Sequence, residues 1–197
     1  MIIDKEKYKL KNTNYYSQVY KKTQIVIGHN SRKDMRHYQG WLRLNFGEYK
    51  KTSHYSIDKD GCVYEHFDPK YYSDFIGHEQ DKCNISINLV NVGWLKNDKI
   101  KNIYTDWLGH TYSTEKMGII KKPWRNYENW VSYTEEQEKS LLNLVNKLCE
   151  DFDIKKDCVG NNVYNKNIDI YKGITFRSNY SQELTDVSPA FKMELLK

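Results

Sequence analysis

The first residue of this sequence that could do chemistry is His29, which ends a short apolar run. Residues 23–31 read TQIVIGHNS, and the run of Ile25, Val26 and Ile27 is typical of a buried central strand. A strand end is a rigid place to hold a metal ligand or a general base. The alternative is a capped strand end with an idle surface histidine, and these residues by themselves favour that alternative.

Composition limits the partners of this chain. The 197 residues carry a net charge of +5, 29% of them are charged, and the mean hydropathy is −0.86. No run approaches the roughly 20 apolar residues of a membrane span, and the basic residues are scattered among acids, which argues against nucleic acid. No apolar secretory segment opens the sequence, so we expect cytoplasmic synthesis. We expect one soluble domain, residues 23–197, preceded by an N-terminal arm, residues 1–22.

Three further histidines lie near the clearest turn signal of the chain. Residues 53–67, SHYSIDKDGCVYEHF, alternate on both sides of an Asp-Gly pair. This pattern predicts a β-hairpin, because glycine accepts the positive φ of the turn. His54 and His66 fall on the two strands of the hairpin, and His78 follows in the loop FIGHEQ.

The other periodic segments predict a layered fold. Residues 84–92, NISINLVNV, alternate as a second central strand does, and residues 33–46 have apolar side chains at helical spacing. Thr134 and Gln137 form the capping box of a second helix. The remaining predicted elements are two short strands, at residues 158–162 and 173–176, and a short final helix. We therefore predict an α/β fold, with a single mixed central β-sheet flanked by α-helices.

Residues 93–132 separate the second central strand from the second helix and show no strong periodicity. They contain four of the five tryptophans, among them Trp94, and also His110. We expect an irregular insertion. Long irregular loops in compact domains tend to cover a site, and aromatic loops suit stacking on glycans or peptides. The tryptophans could equally serve only to pin the loop to the domain.

These segments resemble the type 2 N-acetylmuramoyl-L-alanine amidases, a family that includes amidase-type phage lysozymes and shares its fold with the peptidoglycan recognition proteins. IVIGHNS resembles the family's first strand, SHYSIDKDG its hairpin, FIGHEQ its Trp-His-Ala-Gly loop and NISINLVN its Ser-Ile-Gly-Ile-Glu-Leu strand. YTEEQEKSLLNLVNKLCEDFDI is similar to the long helix, and TDVSPAF to the closing Thr-Asp-Pro-Gly-Pro-Ala-Phe motif. The six motifs occur in the family's order and cover most of residues 23–191.

The resemblance implies a zinc enzyme that cleaves the amide between the lactyl group of muramic acid and L-alanine. In the family, two histidines and one aspartate or cysteine hold the zinc, which leaves an open position for water. By this resemblance His29 is the first zinc ligand, and Asp186 of TDVSPAF is the carboxylate ligand.

The second zinc histidine of the family is missing. It follows a glycine after the long helix, and here Gly160 is followed by Asn161. An alternative alignment places Arg177, in the segment FRSNY, at this position. Asparagine offers zinc only a neutral carbonyl oxygen, a poorer donor than imidazole, and a protonated arginine cannot ligate zinc. Asn161 is the candidate third metal ligand, and Arg177 is kept as a candidate substrate-binding residue.

Positions tied to the family's proton transfer also differ. The glutamate of its Ser-Ile-Gly-Ile-Glu-Leu strand is Asn88, and the tyrosine that some phage members place before the hairpin histidine is Ser53. Both are candidate catalytic residues at altered positions. The lysine two residues before the acidic ligand is Leu184.

Three more residues are candidates for the substrate groove. By resemblance, His54 and His78 line this groove, although either could in principle complete a metal site. Trp94, at the start of the insertion, is the third.

Two functions remain open from the sequence. The first is a zinc amidase with an altered site, acting at the bacterial cell wall or in a phage particle. The second is a catalytically inactive amidase fold that binds peptidoglycan or serves as a structural or partner-binding module. The family role slightly favours the amidase, and peptidoglycan or a muropeptide is the expected ligand in both.

Overall fold

The computed structural model describes residues 2–38, 50–98, 100–101, 103–112 and 118–196. Its strands, in chain order, are β1 (Ile3–Asp4), β2 (Gln24–His29), β3 (Tyr55–Ile57), β4 (Val63–Glu65), β5 (Asn84–Leu89), β6 (Trp94–Asp98), β7 (Ile103–Thr105), β8 (Thr111–Tyr112), β9 (Ile119–Trp124), β10 (Tyr127–Val131) and β11 (Gly173–Phe176). Its helices are α1 (His78–Asp81) and α2 (Glu135–Phe152), with 3-10 turns at Asn12–Asn14, Ile168–Ile170, Arg177–Asn179 and Met193–Leu196.

The central sheet is mixed, as the sequence predicts. Its strand order is β1-β4-β3-β5-β2-β11. Strands β11, β2, β5 and β3 are parallel to one another, whereas β3 and β4 form the predicted antiparallel hairpin. The predicted strands at residues 24–28, 84–92 and 173–176 are confirmed as β2, β5 and β11. Strands β2 and β5 are buried along their whole length, which explains the continuous apolar run of β2. The alternate polar residues of β5 (Asn84, Ser86 and Asn88) are buried as well.

Some sequence predictions differ from the structure. The segment at residues 158–162 contributes only a single bridge, between Cys158 and Ile174. The final helix is a 3-10 turn. The arm does more than lie on the domain, since β1 adds a strand parallel to β4. The helix expected over residues 33–46 falls largely on residues 39–49, outside the described ranges.

The largest correction concerns residues 93–132, which are not an irregular insertion. Strands β6 to β10 form a second, five-stranded antiparallel sheet in the order β8-β7-β6-β10-β9. Trp130 on β10 is fully buried in the main hydrophobic core and so connects this sheet to it. Its indole nitrogen donates to the carbonyl of Lys122 on β9 over 2.8 Å. The strands are short, and β9 has four consecutive exposed residues, so the segment lacks the apolar alternation that marks a half-buried strand.

Helix α2 is tied to the central sheet at its first turn. The hydroxyl of Thr134 accepts the backbone N–H of Gln137 over 3.2 Å, as the predicted cap requires. The amide of Gln137 does not complete the capping box; it donates to the carbonyls of Ile57 and Val90 over 2.9 and 3.1 Å. These carbonyls lie at the ends of β3 and β5, so one buried side chain joins the helix to two strands.

No helix within the described residues is long and apolar enough to cross a membrane.

Two histidines of the hairpin region are buried and neutral. The Nε2 of His54 lies 3.0 Å from the carbonyl of Tyr71, and its Nδ1 lies 2.8 Å from the hydroxyl of Ser86. His66 is held in the same way between the carbonyl of Tyr8 and the hydroxyl of Ser56. Burial lowers the pKa of His66 to about 3 and that of His54 well below its usual range.

We predict that Gln137→Ala lowers the free energy of unfolding by about 1–3 kcal/mol, because it removes two buried hydrogen bonds. The carbonyl of Ile57 keeps the backbone N–H of Val90, whereas the carbonyl of Val90 loses the donor supplied by Gln137. Urea denaturation measures this change. Lys139→Ala, on the exposed face of the same helix, is the matched control and should change the free energy by less than about 0.5 kcal/mol. Equal effects of the two substitutions would contradict the role given to Gln137.

We predict that the thermal midpoint falls as the pH is lowered from 6.5 towards 4. His54 and His66 have a lower pKa in the folded state than in the unfolded state, so the unfolded state takes up protons first in this window. Asp81 acts in the opposite direction, since burial raises the pKa of its carboxyl to about 7. Asp81→Asn should therefore steepen the fall measured by calorimetry, and a midpoint that rises on acidification in this variant would contradict the prediction.

Candidate functional site

The ends of three parallel strands bring the candidate residues together. His29 is the last residue of β2, and Asn88 on β5 pairs with Gly28. Arg177 follows Phe176, the last residue of β11, which pairs with β2. The carboxyl ends of neighbouring parallel strands open at the same edge of a sheet, where ligands bind in this class of fold.

Gly28 leaves the space that this site needs. A Cβ atom at this position would lie 2.5 Å from Oδ2 of Asp186 and 3.2 Å from Cδ of Arg177. These distances are shorter than van der Waals contact, so a larger residue would push both charged side chains away. The glycine before His29 is thus required by the close approach of Asp186 and Arg177.

Asp186 is the buried charge at the centre of the site. It is 4% exposed, and its Oδ2 accepts the backbone N–H of His29 over 3.2 Å. The same oxygen lies 3.3 Å from Nη1 of Arg177. The Nε of Arg177 donates to the carbonyl of Phe75 over 3.1 Å, and the guanidinium lies 5.0 Å from the centre of the Phe75 ring. An arginine of the same chain therefore compensates the buried carboxylate.

The ring of His29 is held neutral in a fixed orientation. Its Nδ1 lies 3.0 Å from the hydroxyl of Tyr133, which accepts a hydrogen bond from the hydroxyl of Ser188 over 3.4 Å. Nε2 is buried beside Gly93 and has no hydrogen-bond partner among the described residues. Burial lowers the pKa of His29 to about 4, although the charge of Asp186 opposes this shift.

A cavity of about 550 Å³ opens beside these residues. Its walls contain His29, Asn30, Ser31, Lys51, Asp74, Phe75, Ile76, Gly77, His78, Asn88 and Arg177. Asn88 is 3% exposed, and its Oδ1 finds no hydrogen-bond partner within the described part of the chain. An orphaned buried amide oxygen on a cavity wall is available to a ligand.

The donors present do not match a three-ligand zinc site. The described ranges contain all six histidines and all four cysteines, and no three or more His, Cys, Asp or Glu side chains within these ranges are grouped to hold a metal. His29 and Asp186 come together as the resemblance implies, but the third group beside them is Arg177, which cannot ligate while protonated. We therefore derive no chemistry through zinc, and zinc binding stays a prediction.

Asn161 lies in a turn of its own. It is exposed, its amide nitrogen donates to the carbonyl of Val159 over 3.2 Å, and its Oδ1 accepts the N–H of Val163 over 3.1 Å. Both side-chain groups are thus used locally. Of the two alignments, the one that places Arg177 at the position of the second zinc histidine agrees with the position of Arg177 beside Asp186.

The other predicted site residues divide into two groups. His78 lies on the cavity wall, with its Nδ1 3.2 Å from Asp74, and is half-exposed. The remaining three lie elsewhere. Ser53 is fully buried and donates to the carbonyl of Tyr55 over 2.8 Å. Trp94 stacks on Tyr127 in the second sheet, with ring centres 4.3 Å apart.

His54, the last of these predicted residues, is 1% exposed. Both of its ring nitrogens are bonded to Ser86 and Tyr71. It therefore has no ring nitrogen left for a substrate or a metal in this geometry.

Sequence reasoning missed Lys51, Asp74 and Tyr133. Asp74 accepts the hydroxyl of Tyr16 over 3.1 Å and faces the cavity with Lys51. Lys51 and Asp74 lie next to the motifs SHYSIDKDG and FIGHEQ in the sequence. This proximity was the only signal that could have identified them as site residues. Tyr133 is separated from His29 by 104 positions, and its place before the helix cap indicates only a helix start.

Comparisons with known proteins agree with the fold. The family model described as N-acetylmuramoyl-L-alanine amidase matches residues 18–172, a range that ends before Arg177 and Asp186. No curated protein sequence matches the chain.

Three solved structures illustrate the likeness. N-acetylmuramoyl-L-alanine amidase LysC from Clostridium intestinale URNW is 12% identical, with 100% of this chain and 95% of that chain covered and a TM-score of 0.57. The Ph2119 endolysin from the Thermus scotoductus MAT2119 bacteriophage Ph2119 is 13% identical, covers 99% and 96%, and has a TM-score of 0.56. Drosophila peptidoglycan recognition protein SD is 13% identical, covers 93% and 84%, and has a TM-score of 0.53.

At these identities the likeness to solved structures shows the fold alone, whereas the family model covers most of the sequence. By its match over residues 18–172, this chain belongs to the N-acetylmuramoyl-L-alanine amidase family.

Proposed function

We propose that this protein binds peptidoglycan fragments in the cavity beside His29, and that it binds them without a zinc ion. The observation that carries this proposal is the ion pair between Arg177 and Asp186. In it, a guanidinium compensates the carboxylate that the resemblance assigns to zinc. The family and the fold indicate the class of ligand. The ion pair is the feature that differs from the zinc site implied by the resemblance.

The walls of the cavity suit the peptide part of such a ligand. Stem peptides present amide groups and free carboxylates. Arg177 uses Nε and Nη1 for Phe75 and Asp186, so Nη2 remains for an anionic oxygen of the ligand. Lys51 adds a second positive charge, and the unpartnered Oδ1 of Asn88 accepts an amide N–H. Charge-assisted bonds from a guanidinium to a carboxylate are among the stronger bonds available to a binding site.

A zinc amidase is the second candidate. It is favoured by the position of Asp186, whose carboxylate accepts the backbone N–H of His29, and by the family to which the chain belongs. A bound zinc would supply an activated water and a polarised carbonyl. The described residues contribute one imidazole and one carboxylate to this position, and Arg177 takes the remaining place.

We predict that the protein purified without added metal contains much less than one zinc per chain and releases no free amine from peptidoglycan. We also predict that it binds a soluble muramyl peptide, and that Arg177→Ala weakens this binding roughly 10- to 100-fold, the loss expected of one charge-assisted hydrogen bond. Metal analysis and titration calorimetry measure the two quantities. Lys172→Ala, an exposed cation near the same strand, is the control and should leave the affinity unchanged.

The opposite pattern supports the second candidate. One zinc per chain that is lost in His29→Ala, together with amine release by the wild type, would replace the binding function with the amidase. Absence of any binding to muramyl peptide would reject both functions.

We predict that Arg177→His raises zinc affinity by more than about 100-fold, since even the loss of an outer-shell partner of a metal site costs about 10- to 100-fold. The substitution places a second imidazole beside Asp186 and removes the competing cation. Asn161→His is the matched variant and should gain no zinc, because its side chain lies in a separate exposed turn. Zinc uptake by Asn161→His alone would restore the first alignment and contradict the place given to Arg177.

A further inference from the structure

We propose that Trp107 and Leu108 form a carbohydrate-binding platform at the rim of the cavity, which takes the glycan part of the ligand whose peptide part lies in the cavity. This inference rests on the proposed function for its ligand. It concerns a surface that belongs to the second sheet and that no family motif of the sequence includes.

The turn that carries these two residues is held rigidly by one carboxylate. Asp106 is 6% exposed and accepts the backbone N–H groups of Leu108 and His110, each over 2.9 Å. It also lies 2.9 Å from Nδ1 of His110 and accepts the hydroxyl of Tyr112 over 2.7 Å. Four contacts to one side chain fix the connection between β7 and β8. The exposed residues on this turn are therefore held in place before any ligand arrives.

The turn presents apolar surface to solvent. Trp107 is 45% exposed and Leu108 is 48% exposed. About half of each side chain stays in water, and this apolar surface contributes no burial energy to folding. Neighbouring exposed apolar side chains beside a cavity are typical of a binding surface.

Trp107 is hydrogen-bonded to a residue of the cavity wall. Its indole nitrogen donates to the carbonyl of Ser31 over 2.9 Å, and Ser31 is on the cavity wall. The guanidinium of Arg32 lies 4.4 Å from the centre of the indole ring. Three residues of extended chain span at most about 11 Å, so Arg32 and the platform lie close to His29. A single ligand can therefore occupy the cavity and the platform together.

The chemistry of the platform fits a sugar better than a second length of peptide. A pyranose ring presents C–H groups on its face, which pack on an aromatic ring, and hydroxyl groups on its edge, which need polar partners. The exposed part of the indole ring of Trp107 supplies the first. The guanidinium of Arg32 lies over the same ring, with its carbon 4.4 Å from the ring centre, and brings a positive charge to the platform. Tryptophan is suited to such surfaces because it combines a large apolar area with little conformational freedom to lose.

The experiment compares two soluble ligands by titration calorimetry: a free stem peptide, and the same peptide on a GlcNAc–MurNAc disaccharide. The wild type is expected to bind the disaccharide form about five- to tenfold more tightly, the equivalent of one aromatic stacking contact. Trp107→Ala should abolish this preference and leave the affinity for free peptide unchanged. Trp107→Phe should keep part of the preference. Ile100→Ala is the control, because Ile100 is 97% exposed at the opposite end of β7.

A second measurement does not depend on peptide binding. Addition of an oligomer of N-acetylglucosamine should shift the indole N–H resonance of Trp107 in the NMR spectrum, with the signal assigned by its disappearance in Trp107→Phe. Either equal wild-type affinities for the two calorimetric ligands or no shift of this resonance would overturn the platform. If free peptide binds but the preference is absent, the platform fails and the proposed function stands. If the sugar shifts the resonance but neither peptide ligand binds, the proposed function fails and the platform stands.

Discussion

The buried carboxylate of Asp186 is the constraint on which the rest of the site depends. A charge that is 4% exposed must be paired and hydrogen-bonded, since its desolvation is otherwise very costly. The backbone N–H of His29 and the guanidinium of Arg177 meet this requirement. The two partners come from the ends of β2 and β11, so compensation of the charge also fixes how these strands end. Gly28 follows from the same requirement, because any side chain there would separate the pair.

The second sheet supports this arrangement from three positions. Arg125, in the turn between β9 and β10, donates to the carbonyls of Ser178, Ser181 and Leu184, and thereby holds the segment that leads to Asp186. Gly93, just before β6, lies against the ring of His29. Trp107 reaches the carbonyl of Ser31. A segment that looks like an irregular insertion in the sequence is therefore part of the structure that positions the cavity.

The same set of strand ends can support different chemistry in one family. A carboxylate beside a histidine at a strand end suits a metal when a third ligand faces them, and suits an ion pair when a cation does. In this chain His29 is neutral and its Nδ1 is bonded to Tyr133. Asn88 and Arg177 instead offer groups that bind a ligand directly. Fold and family consequently indicate the class of ligand, while the residues at the strand ends indicate whether the ligand is bound or cleaved.

Much of the fold could be read from the sequence, because β2, β5, the hairpin and α2 are set by local periodicity, turn chemistry and a helix cap. His29 and Asp186 were also identified in this way, through motifs that each span a few residues. The sequence could not choose between Asn161 and Arg177, and it gave no sign of the second sheet or of Tyr133. The contacts of His29 with Tyr133 and Asp186 join residues 104 and 157 positions apart in the chain, and the strands of the second sheet are too weakly patterned to be recognised locally. Local patterns determine the central strands and helix α2, and only the packing of β11 against β2 decides that Arg177 lies beside Asp186.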